Sequence, residues 1–94
     1  MNAVNIEPAS CPRFARGVKM RFDEARQQWI LNAPEKVLVL DEIAQLIISR
    51  IDGVISVDAL CRDLALEFAS PQEIIQADVT EMLADMLHRG FIRI

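Results

Sequence analysis

The sequence predicts an α+β fold, a three-stranded antiparallel sheet followed by three helices in the manner of a winged helix-turn-helix domain. Three observations lead there. Between Val18 and Leu40, three short stretches of strand character are separated by turn signals. From Asp41 onward the spacing of apolar residues changes from the period of extended chain to that of a helix. The helical stretches are joined by short links that carry cap residues, so each is bounded by its own start signal.

Residues 1–12 lack periodicity and carry Pro8 and Pro12, and they are expected to form a flexible tail ahead of a single domain over 13–94. Val18, Met20 and Phe22 alternate with Gly17, Lys19, Arg21 and Asp23, as in a strand with one wet face. Asp23-Glu24-Ala25-Arg26 makes a turn. Gln28–Asn32 then runs back, with Trp29 and Leu31 on one face and Trp29 as the anchor to the core. Pro34 lacks a ladder donor and holds Ala33 extended, which makes Ala33-Pro34-Glu35 a second turn. The third strand, Lys36-Val37-Leu38-Val39-Leu40, is apolar on both faces, whereas a half-buried strand should alternate.

Asp41 is the expected N-cap of the first helix. There Ile43, Ala44, Leu46, Ile47, Ile48 and Ile51 form a broad apolar stripe, closed by Gly53. Ser56 caps the second helix, whose single stripe is Val57, Leu60, Cys61, Leu64 and Phe68. Ser70-Pro71-Gln72-Glu73 has the spacing of a capping box with Pro at N1, and opens a third helix over about 72–89. That helix ends at Gly90, with His88 and Arg89 in its last turn where positive charge suits the helix dipole. Phe91–Ile94 alternates again and is a candidate final strand.

With 94 residues and 52% hydrophobic content the chain fits one core and leaves little for an internal catalytic cleft. Its net charge of −4 is unevenly spread. Residues 1–36 hold six Lys/Arg against four Asp/Glu, and residues 37–94 hold four against ten. An acidic helical part disfavours nucleic acid and anionic membrane surfaces. Cys11 and Cys61 have neither metal-ligand nor redox spacing, and no apolar run approaches the ~18 residues of a membrane span. A cytoplasmic protein without metal or cofactor is expected.

No catalytic constellation assembles. His88 is the only histidine and its place at a helix end explains it; Glu73, Asp78, Glu81 and Asp85 read as a solvated helix face. DNA binding is the structural rival, since a third helix in this topology is where a recognition helix would sit. Here that helix carries four acids against one Arg, and phosphate contacts need cations. A peptide groove accounts for more of the sequence. If Lys36, Val37, Leu38, Val39 and Leu40 form an exposed sheet edge, an extended peptide can pair with it. The third helix would be the facing wall, with Ile75, Val79 and Met82 at its apolar centre beside Leu83 and Met86, flanked by Ile74, Asp78 and Asp85. Four or so hydrogen bonds at ~0.5–1.5 kcal/mol and two buried side chains at ~1.5–3 kcal/mol suffice for micromolar affinity after ordering costs. The same residues also fit an ordinary core with the strand covered by the chain's own helix, and the pattern alone leaves both open.

Pro12-Arg13, Arg16-Gly17-Val18, Arg21-Phe22-Asp23-Glu24, Arg26, Trp29, Ala33-Pro34-Glu35, Val39-Leu40-Asp41-Glu42 and Asp52-Gly53 together resemble the PqqD family of pyrroloquinoline quinone biosynthesis, over nearly the whole chain from Pro12 to Ile92. One departure is Ile51, where many members have Cys. The resemblance implies a RiPP recognition element, a peptide chaperone that takes the precursor peptide PqqA as an added strand and presents it to the radical SAM enzyme PqqE. By that analogy the strand Lys36–Leu40 and the third helix form the PqqA groove, and Arg16, Lys19 and Arg21 are candidates for the PqqE contact. An uncovered edge also invites self-pairing, so a monomer is expected when dilute and a strand-paired or swapped dimer when concentrated.

Overall fold

The computed structural model describes residues 6–94 and orders the elements as β1 (Arg13–Phe14), β2 (Lys19–Asp23), β3 (Gln28–Ala33), β4 (Lys36–Leu40), α1 (Glu42–Ile48), α2 (Val57–Phe68), α3 (Gln72–His88) and β5 (Ile92–Arg93). The expected meander forms, with β2, β3 and β4 antiparallel in that order. Met20, Leu31 and Leu38 lie opposite one another, as do Phe22, Trp29 and Leu40. This register puts the larger apolar residues on the face toward the helices. Phe22 meets Trp29 edge to face, with ring centroids 5.4 Å apart.

One core joins sheet and helices, and Leu31, Ile48, Leu60, Leu64, Leu83 and Phe91 are completely or almost completely buried in it. Each such side chain contributes about 1.5–3 kcal/mol on leaving water. Cys61 belongs to the same cluster, where burial pushes its thiol up. The α2 stripe is buried as expected from Val57 to Leu64, but Phe68 stays partly exposed at the helix end.

Two start signals act as predicted. Asp41 Oδ1 accepts from the Ala44 N–H at 2.7 Å, and Ser56 Oγ from the Ala59 N–H at 3.1 Å. Two others do not. First, α1 stops at Ile48, five residues before Gly53. Tight bonds from Arg50 N–H to Ile47 O and Ile51 N–H to Ile48 O end it, and Asp52 Oδ1 then accepts from both Val54 and Ile55 N–H at 2.8 Å. The short carboxylate offers the backbone an alternative to the helical ladder. Second, the capping box does not form, because Ser70 is engaged by the preceding helix. Ala69 is left-handed at φ 51°, its N–H bonds to Leu66 O, and the Ser70 N–H bonds to Ala65 O, a Schellman ending for α2. Pro71 becomes the N-cap of α3, with no side-chain cap bond.

The expected tail also departs from expectation. Ile6 is buried in the core, and the carbonyls of Ser10 and Pro8 accept from the Val57 and Asp58 N–H groups at 2.8 and 2.9 Å. The first-turn donors of α2, which no helical carbonyl can reach, are thereby satisfied. Residues 1–5 of that tail lie outside the described residues. Phe91–Ile94 does contain a strand, and its partner is β1, with Phe14 opposite Ile92 and Arg13 opposite Arg93.

Ala69→Gly is expected to raise stability by about 0.5–1 kcal/mol, because a left-handed alanine costs about 1–2 kcal/mol and glycine gives back only part of this through the unfolded chain. Thermal denaturation measures it. Hydrogen bonds from Ile55 and Val54 N–H hold the Asp52 carboxyl below its ordinary range. A lowered folded value stabilises above the ordinary carboxylate range, and the contribution is lost as pH falls through the folded value. Asp52→Ala should therefore lose less stability than the parent between about pH 7 and pH 3, compared by urea unfolding.

Candidate functional site

The outer edge of β4 has no strand beside it among the described residues, so its main chain is available. In an antiparallel pair, residues alternate between those that exchange hydrogen bonds with the partner and those that turn their groups away. A two-residue link joins Ala33 to Lys36, and the register continues Leu31 to Leu38 and Trp29 to Leu40. Lys36, Leu38 and Leu40 therefore bond to β3. The N–H and C=O groups of Val37 and Val39 face outward. Both of these valines are about half exposed, at 50% and 49%, while Leu38 is half-buried and Leu40 buried.

β2 is the other free edge of the sheet, but it carries Lys19, Arg21 and Asp23, the kind of charged side chains that guard an edge. β4 between Lys36 and Asp41 has no such guard.

α1 follows β4 directly and packs on it, and α3 is tied to the start of the strand through Lys36. The deepest side chains of α3 are Val79, Leu83 and Met86. Ile75, Asp78, Met82, Asp85 and Arg89 follow one line along its flank, at i, i+3, i+7, i+10 and i+14. Near the start of this line, Ile75, Asp78 and Val79 close a cavity of about 320 Å³ with Ile43 and Ile47 of α1 and with Phe68 at the end of α2. At its far end, the Lys36 ammonium donates to Arg89 O and lies 4.9 Å from the centre of the Phe91 ring. Because α1 leaves β4 at Leu40 and Lys36 begins it, these two attachments run α3 antiparallel to β4. The strand edge and the helix flank are thus linked at both ends, through α1 and through Lys36.

Of the sequence-predicted wall residues, Ile75, Asp78 and Val79 meet at the cavity between the three helices, and Lys36 meets the end of α3. Ile75 and Met82 are half-buried, Ile74, Asp78 and Asp85 exposed, and Val79 with Leu40 buried, so the last two supply floor rather than rim. Sequence reasoning missed Ile43, Ile47 and Phe68, which complete the apolar end. Ile43 and Ile47 are spaced i, i+4 directly after the strand, and this adjacency was the available signal. It also missed the Lys36 tie, a contact across 53 residues that no local pattern encodes. Arg16, Lys19 and Arg21 are exposed, away from the groove on the β2 side of the sheet, and no ion pair engages them among the described residues.

This side of the molecule holds apolar surface, a free strand edge and two carboxylates, Asp78 and Asp85, the latter 3.3 Å from Arg89. The described residues contain no group of three or more His, Cys, Asp or Glu able to hold a metal, and no helix long and apolar enough to cross a membrane.

Residues 28–92 match the family model described as Coenzyme PQQ synthesis protein D (PqqD). A "PqqA binding protein" from Rhodopseudomonas palustris (strain HaA2) is 42% identical over 89 residues, covering 95% of this chain and 87% of the relative. One of the same description from Xanthomonas oryzae pv. oryzae (strain PXO99A) is 40% identical over 83 residues, 88% of this chain and 90% of the relative. The solution structure of the PqqD truncation of Methylobacterium extorquens PqqCD, described as a stand-alone RiPP recognition element, superposes with a TM-score of 0.84 at 31% identity over 100% of both chains. A crystal structure of PqqD from Xanthomonas campestris gives 0.61 at 37% identity, over 95% of this chain and 99% of that one.

Lys36→Met keeps the aliphatic stem and removes the bond to the α3 terminus. It is expected to lower stability by about 1 kcal/mol and to increase hydrogen exchange at residues 36–38 and 88–91. Unchanged exchange at both sites would show that the tie does not hold the groove ends together.

Proposed function

Because this chain belongs to the PqqD family, we propose that it is a PqqA-binding adaptor of pyrroloquinoline quinone biosynthesis, that the peptide adds as a strand to β4, and that the complex is presented to the radical SAM enzyme PqqE. The carrying observation is the unpaired edge of β4, with half-exposed Val37 and Val39 at its outward positions; the flank of α3 is taken as the facing wall. Val37 and Val39 offer donors and acceptors in strand register, while Ile74, Ile75, Asp78, Val79, Met82 and Asp85 receive the side chains that point inward. Lys36, Leu38 and Leu40 hold the edge in place through β3.

No covalent chemistry is asked of the chain in this reading. It acts by binding, alongside a catalytic partner, in the cytoplasm. Arg16, Lys19 and Arg21 form the surface proposed for PqqE. A monomer is proposed when dilute, with self-pairing of β4 competing at high concentration.

The DNA-binding alternative finds less support. Glu73, Asp78, Glu81 and Asp85 are all exposed on α3, and a duplex would meet like charge along the whole helix.

Three outcomes test the proposal. Titration of isotope-labelled protein with PqqA should move amides in residues 36–40 and 72–86 most, and shifts confined to β2 and β3 would reject the groove. Val39→Pro, which removes a donor and kinks the edge, should weaken PqqA binding by more than about tenfold while circular dichroism stays unchanged. In a gel shift at low salt, random duplex DNA should not be retarded.

A further inference from the structure

Where β4 runs into α1 the surface holds a second cavity, an open hollow of about 640 Å³. Gln28 and Trp29 of β3 line one side, Asp41, Glu42 and Gln45 the other, and Val39 reaches it from the strand. Trp29 is half-buried, opposite Leu40 in the sheet, while Asp41 and Glu42 are exposed. Asp41 gives one carboxylate oxygen to the Ala44 N–H as helix cap. Neither acid forms an ion pair among the described residues, and no Lys or Arg lines the hollow. Val39 belongs both to this hollow and to the outward edge of β4, so the hollow begins where an added strand would end.

Resting on the adaptor reading above, we propose that this hollow takes a cationic group of the peptide, a Lys or Arg side chain or the terminal ammonium flanking the added strand, with Glu42 as its ion-pair partner. The lining selects the charge. An indole ring attracts a cation, a free carboxylate accepts charge-assisted hydrogen bonds from it, and the Gln28 and Gln45 amide oxygens can accept further ones. An anion would meet the two acids, and an apolar side chain would leave them without a partner. Strand addition by itself reads little sequence, because every residue except proline offers the same N–H and C=O. A cation held at one end supplies the missing register. A slip of one residue turns that side chain to the other face of the sheet, and a slip of two carries it about 7 Å away. Glu42 is therefore a specificity-determining residue, which decides which segment of the peptide lies against β4.

The test is calorimetric titration of the full chain with PqqA, with PqqA forms in which each Lys or Arg is changed singly to Gln, and with amino-terminally acetylated PqqA. One of these forms should bind the wild-type chain about fivefold or more weakly, and the difference should vanish in Glu42→Gln. Loss at one Lys or Arg assigns the hollow to that side chain, and loss on acetylation alone assigns it to the terminal ammonium. Gln28→Lys puts a cation into the hollow without touching α1. It should weaken binding of unmodified PqqA about fivefold or more, and less so at high salt. Circular dichroism checks that both variants keep the fold. The proposal is overturned if every altered peptide binds as tightly as PqqA itself, if the difference persists in Glu42→Gln, or if Gln28→Lys binds PqqA like wild type. Each of these results leaves PqqA binding by the wild-type chain intact. A wild-type chain that binds no PqqA overturns the adaptor reading and this proposal with it.

Discussion

A sheet of three strands has two edges, and the main-chain groups on each edge need partners from solvent or from another molecule. In this chain the two edges are treated differently. β2 carries alternating charges that keep other strands away. β4 carries valines at its outward positions and has no strand beside them among the described residues, and α3 is tied to its start through Lys36. An edge of this kind is costly to expose and has a simple remedy, which is a guest strand. The apolar end of the groove, the acid-flanked helix face and the mixed character of the outer sheet face all take their place from that edge.

The distribution of charge follows the same geometry. Basic residues concentrate on β2 and the turn before it, whereas α3 is acidic on its exposed side. A partner drawn to one end of the molecule is repelled from the other. The two surfaces thus suit partners of opposite charge. Glu67 supports the scaffold beneath them, since the Arg50 guanidinium bonds to it bidentately and holds its carboxyl below the ordinary range.

Much of this was legible in the sequence because local rules were strong. The alternation around Met20 and Leu31, the stripe from Val57 to Leu64, and the caps at Asp41 and Ser56 each had one clear answer, and the family resemblance is shown by the matched model and relatives. Where the sequence misled, two local signals competed. Ser70 has the spacing of an N-cap, but the residue before it closes α2 with a left-handed alanine and engages the serine backbone first. Gly53 looked like a helix end, but Asp52 had already drawn the backbone into a turn. Residues 6–12 looked loose because their contribution is made by carbonyls, which carry no side-chain signature. The Lys36 contact with Arg89 and the pairing of β1 with β5 were invisible for a simpler reason: both join positions far apart in the chain.

That last pairing bears on how such a module can be used. Arg13 and Arg93 sit across from each other on neighbouring strands, which brings the segment ahead of the three-stranded sheet back to the last strand. From that seam residues 6–12 run on to the start of α2, where Ile6 is buried and the carbonyls of Pro8 and Ser10 take up the first N–H groups of the helix. Trimming the chain to Arg13 would therefore keep the seam but open both the core beside Ile6 and the first turn of α2.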